Sequence, residues 1–164
     1  MKFSLVSILL AIISLAACKE RGNEATEGNK VTTVTDAETP GTNGADGSIK
    51  PVIANYLKLK NALAADNSKD AANAANALLT AINSVDTTAI PQTQKPNYAA
   101  LVEDMREHAE HTVSNAKTIA HQREHFEMLS KDVYDLIKTF GGNQTLYYTH
   151  CPMAFNEKGA YWIS

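Results

Sequence analysis

The chain has 164 residues, enough for one domain once targeting segments are set aside. Its net charge is -3, with 15 Lys and Arg against 18 Asp and Glu of interspersed sign. That balance excludes a basic field able to attract nucleic acid and predicts an ordinary solvated surface.

The first element is "MKFSLVSILLAIISLAAC", which reads as an export signal. Lys2 supplies the positive start, and Leu5 to Leu15 is an apolar core too short for a spanning helix, which needs about twenty residues. The segment ends in Leu15-Ala16-Ala17-Cys18, which resembles the lipobox of bacterial lipoproteins. That resemblance implies cleavage before Cys18 and lipid on its sulfur. The residue after it is Lys19 rather than Asp, which favours the outer membrane. A plain signal peptide with an incidental cysteine is the alternative. If Cys18 is lipidated, Cys151 has no partner in its own chain, and an unpaired thiol in an oxidising compartment has to be buried, metal-bound or catalytic.

Residues 18–49 are polar and rich in Gly, Thr and Asn, with no apolar period. Such a segment cannot bury enough surface to offset its ordering entropy, so it is expected to be a flexible tether spanning roughly 30 Å. The folded domain is expected over residues 50–164, beginning near Pro51. Val52, Tyr56, Leu59 and Leu63 recur at helical spacing. Ser68 is the expected N-cap of a second helix whose apolar face carries Ala71, Ala75, Leu78, Ile82 and Val85. Residues 86–96 hold two prolines and several threonines and read as a loop, with Pro96-Asn97 opening a third helix. Helical periodicity then runs from Tyr98 to Phe140. A run that long predicts a break near Ser114-Asn115, making two antiparallel helices, with Gly141-Gly142 as the final cap. The sum is an all-α antiparallel four-helix bundle with an irregular C-terminal lid and one short strand at Leu146-Tyr148.

Two groups of side chains could hold a metal. His150, Cys151 and Met153 fall within four residues, and Pro152 favours a turn there. Thiolate and thioether are soft ligands and imidazole is intermediate, a set that suits Cu(I) and, less exclusively, Zn(II). The competing reading makes Cys151 and Met153 apolar plugs at the end of the bundle, with Phe155, Tyr161 and Trp162 as its cover. The second group is His108, His111, His121 and His125. Spacings of three and four place each pair on one helical face, and two pairs on adjacent helices could build a site within a bundle. A solvated face beside Glu and Arg is the alternative. His121-Gln-Arg-Glu124-His125 matches the spelling of inverted zinc proteases, but that enzyme class is far larger and needs a distant third ligand. No phosphate loop, nucleophile elbow or oriented Cys–His pair is present, so no catalytic residue and no enzymatic turnover is expected.

The runs "IAHQREHFEMLSKDVYDLIKTFG" and "LYYTHCPMAFNEKGAYWIS" give the chain a family resemblance. Gln122-Arg123, Phe126 and Leu129-Ser130 carry it, followed by His150-Cys151-Pro152-Met153-Ala154 and Gly159-Ala160 with Trp162. Over roughly residues 53–164 the chain resembles the bacterial domain of unknown function 3347 family. Members are exported or lipid-anchored, and the domain is also attached to periplasmic adaptor subunits of copper/silver efflux pumps. The resemblance implies metal handling, copper foremost, in the cell envelope, with an efflux adaptor as a possible partner. Family members usually continue past the Trp-x-Ser position with an Asn-Pro-Tyr stretch and further Met and Cys residues; this chain stops at Ser164, so it is expected to lack that tail and the soft ligands it would bring. The expected function is a lipoprotein that binds or delivers copper. The alternative is a metal-free module that docks on an adaptor or another envelope protein.

Overall fold

The computed structural model describes residues 32–34 and 45–164, residue 143 excepted, with side chains from residue 48 onward. Four helices, α1 (Ala45–Ala64), α2 (Ser68–Asn83), α3 (Lys95–Ser114) and α4 (Ile119–Phe140), run up and down as an antiparallel bundle. Each packs on its neighbour in sequence and α1 closes against α4. The expected fold class stands. The core is the joined apolar stripes: Ile53, Tyr56 and Leu59 of α1, Leu78 of α2, Met105 of α3, and Leu129, Val133 and Leu136 of α4 are all buried.

Boundaries differ from the sequence reading where tertiary contacts outweigh local signals. Helix α1 begins at Ala45, so Pro51 lies inside it instead of opening it. Ile49, fully buried, anchors the extra turn, and the Ser48 hydroxyl accepts the Asp86 N–H at 2.7 Å. The cap of α2 is Asn67, not Ser68; its side-chain oxygen accepts from the Asp70 N–H at 3.0 Å. Five alanines of α2 are buried (Ala71, Ala72, Ala74, Ala75 and Ala81), which lets neighbouring backbones approach closely. The break between α3 and α4 falls at Asn115, as the sequence predicts. Gly141 ends α4 with φ 87°, its N–H donating to the Ile137 carbonyl at 2.9 Å.

Beyond α4 the chain forms strands β2 (Leu146–Cys151) and β3 (Ala160–Ile163). With β1 (Thr32–Val34) they make an antiparallel sheet in the order β1-β2-β3. Three residues of the stretch expected to be a tether therefore pair with β2, and α1 takes up its last five; residues 18–31 and 35–44 lie outside the described residues, as does the signal segment. The sheet is tied to the bundle by Tyr56, which is fully buried and stacks on Phe126. Its hydroxyl accepts the Ile163 N–H at 3.0 Å and bonds Ser130 Oγ at 2.7 Å, while Ser130 donates to the Phe126 carbonyl. Burial raises the phenol well above its usual range, so it stays protonated and donates. Among the described residues no helix is long and apolar enough to cross a membrane.

Candidate metal centre

The antiparallel turn between α3 and α4 brings the two histidine pairs together. His108, half-buried, and His111, exposed, project from the last two turns of α3 toward His121 and His125 on the first two turns of α4. His111, His121 and His125 each offer a ring nitrogen, and these atoms lie within 4.8 Å of one another. His121 Nε2 and His125 Nε2 are 3.2 Å apart, close to the about 3.3 Å between two ligands of a tetrahedral ion with 2.0–2.1 Å bonds. His111 stacks on His125 with ring centroids 4.4 Å apart. His108 stands behind His125, with Nδ1 atoms 3.4 Å apart. This histidine cluster can coordinate a metal ion.

The corner is braced by polar side chains. Gln122 is fully buried and its amide donates to the carbonyls of Ser68 and Thr112, both at 3.0 Å. It thus ties the start of α2, the end of α3 and the start of α4 in one place, between the two histidines of α4. Thr112 donates to the His108 carbonyl at 2.9 Å and Asn115 to the His111 carbonyl at 2.8 Å. Arg123 donates to the Leu63 carbonyl and to Asp66, both at 2.6 Å, pinning the α1–α2 turn to α4.

Electrostatics suit ligation by neutral imidazoles, which metal binding requires. Burial lowers the pKa of His125, and the charges of His111, His121 and His108 lower it further. His108 is lowered by burial, against the pull of Glu107 and Asp104. His121 Nδ1–H donates to the Glu124 carboxylate at 2.7 Å, which leaves its Nε2 lone pair facing His125. Asp132 lies about two turns along the same face of α4 from His125, its Oδ2 3.9 Å from His108 Nε2. That oxygen is buried with no hydrogen-bond partner among the described residues. Burial, with Asp104 and Asp135 nearby, pushes the carboxyl up to about 6. Sequence spacing found the histidines but not Glu124, Gln122 or Asp132. Glu124 at three from His121 and Asp132 at seven from His125 were the available signals.

The terminal set has another arrangement. His150 and Cys151 are neighbours on β2, so strand alternation turns them to opposite faces of the sheet. His150 stacks on its cross-strand partner Tyr161 at 4.2 Å. Its Nε2 lies against Gly159, where a Cβ would come within 2.8 Å. Cys151 is half-buried opposite Ala160 and forms no disulfide among the described residues, and Met153 is 77% exposed. After Met153 the backbone turns left-handed at Phe155, Asn156 and Glu157, with φ of 52°, 57° and 67°. Phe155 and Trp162 line an apolar groove of about 320 Å³ with Leu63, Ala64 and Phe126. Cys18 lies outside the described residues.

No curated protein and no solved structure matches the chain. Residues 52–145 match a family described as protein of unknown function (DUF3347). The four bundle histidines fall inside the matched stretch, and His150, Cys151 and Met153 lie beyond it. With more than half of its length matched, the chain belongs to the DUF3347 family.

Proposed function

We propose that this protein holds a divalent transition-metal ion, copper foremost, in the cell envelope and hands it on without turnover. The observation that carries the reading is the convergence of His111, His121 and His125 on one point between two helices. Imidazole suits Cu(II), Zn(II) and Ni(II), and among divalent ions Cu(II) binds nitrogen sites most tightly. Supporting it, one ligand is oriented by a carboxylate, and burial and the neighbouring histidines push another toward its neutral form. One ligand, His111, is exposed, which suits exchange of the ion with another protein. Cys18 would tether the domain by lipid, and an efflux adaptor would be the receiver. His150, Cys151 and Met153 would serve, at most, a separate Cu(I) step.

The test is a titration of the mature domain with Cu(II) and Zn(II), followed by calorimetry and by the thermal midpoint. A ligand that binds only the native state stabilises it by about 2.7 kcal/mol at a hundred times its Kd. Wild type should show a saturable rise in midpoint that His121→Ala and His125→Ala abolish. Cys151→Ser with Met153→Ala should leave the divalent titration unchanged. A wild type that does not respond, or histidine variants that respond equally, would sink the proposal.

A further inference from the structure

The geometry points to a tautomer relay running from the metal centre through His108 to Asp132, so that a carboxylate remote from the ion reads and reinforces occupancy. This rests on the metal-binding reading above. Neither His108 nor Asp132 belongs to the three-histidine group; both act through His125 as positioning residues.

The relay follows from which ring nitrogens face each other. Glu124 can only accept, so the proton of neutral His121 sits on Nδ1 and its Nε2 is a bare lone pair. His125 Nε2, 3.2 Å away, must then carry its proton toward His121 when no ion is present. That leaves His125 Nδ1 as acceptor for the Nδ1–H of His108 at 3.4 Å. His108 Nε2 is then bare and faces the Oδ2 of Asp132, 3.9 Å away, which itself has no partner. Two acceptors confront each other at the end of the chain.

With an ion bound, His121 would keep its proton on Nδ1 and ligate through its bare Nε2, while His125 could ligate through Nε2 only if its own proton moved to Nδ1. His108 Nδ1 now accepts, and the proton of His108 resides on Nε2, directed at Asp132. A side-chain rotation closes that contact into a charge-assisted hydrogen bond. Each ring keeps one proton throughout, and with Asp132 ionised none is released. The partnerless carboxylate oxygen is satisfied only in the occupied form, which makes occupancy and satisfaction of Asp132 one event. Outer partners of ligating histidines change metal affinity by roughly 10–100-fold when removed.

Zinc, which is diamagnetic, tests this in the intact mature domain. Long-range ¹⁵N–¹H spectra of the histidine rings in wild type should show His108 protonated on Nδ1 without metal and on Nε2 with zinc. A His108 tautomer that does not change on zinc binding overturns the relay, and this reading needs no variant to fold. In parallel, Asp132→Leu and His108→Phe should each weaken zinc binding about tenfold. Asp132→Asn, which keeps an acceptor oxygen, should recover part of the loss. Wild-type affinity in Asp132→Leu and His108→Phe, with His125→Ala still abolishing binding, overturns the relay but leaves the metal reading standing. Zinc binding absent from wild type removes both.

Discussion

The histidine corner of α3 and α4 and the His150–Met153 segment both concentrate metal-ligating side chains and end in opposite arrangements. On helices, spacings of three and four keep side chains on one face, and an antiparallel turn sets two such faces against each other. On a strand, consecutive side chains alternate, so closeness in sequence separates His150 from Cys151. Density of ligands along a chain is therefore a poor guide to a site. Period matched to secondary structure is the better one.

The contrast can be tested at three positions, beginning with the corner. Gln122→Ala should remove one buried and one part-buried hydrogen bond and leave a small void, costing about 2–3 kcal/mol in denaturant unfolding. It should also loosen metal binding, because the amide fixes the junction that aligns both histidines of α4. Unchanged metal affinity in a folded Gln122→Ala would show that the corner does not depend on this brace.

The terminal segment should respond in stability alone. Gly159 has φ 81°, and a Cβ there would meet the His150 ring at 2.8 Å. Gly159→Ala should therefore cost about 1–3 kcal/mol while leaving the divalent titration at wild-type affinity. A large loss of divalent-metal binding in this variant would join the two regions into one site and end the comparison.

The smallest effect concerns pH. The folded-state pKa of Asp132 is raised to about 6 from an ordinary 3.8, so the native protein binds this proton more tightly than the unfolded chain. Its contribution to stability is present below pH 4 and is lost as pH rises toward and past 6. Ionised Asp132 should thus cost the metal-free domain about 1–2 kcal/mol at pH 7, allowing for partial exposure. Asp132→Asn should raise the metal-free thermal midpoint at pH 7 and flatten its pH dependence between 4 and 6. An identical profile in variant and wild type would show that this carboxyl is not strained. A gain in stability paired with weaker metal binding is the trade expected of a group kept for function.

Much of the bundle was legible beforehand because its signals are local and periodic. Leu129, Val133, Leu136 and Phe140 repeat on one side of α4, and the two glycines after them stop it. The break at Asn115 was legible from length alone. The start of α1 was not, since Pro51 signals a beginning and only the burial of Ile49 extends the helix behind it. Strand β3 was also hidden: Ala160-Tyr161-Trp162-Ile163 has no alternating pattern and forms by pairing with β2 and by the Tyr56 hydroxyl holding its outer edge. At the candidate site, spacing identified all four histidines but could not rank them above the denser terminal cluster.

Local residue patterns alone dictate a set of amphipathic helices, their order, and two histidine pairs each confined to one face. Those properties depend on the helical period and on neighbours a few residues away. Which pairs meet, at what distance, and with which carboxylates behind them depended on the tertiary structure. The α3–α4 turn, the buried amide of Gln122 and the orphaned oxygen of Asp132 join residues from separate helices. Such contacts form only when the helices pack, because packing alone removes the water that would otherwise satisfy each polar group separately.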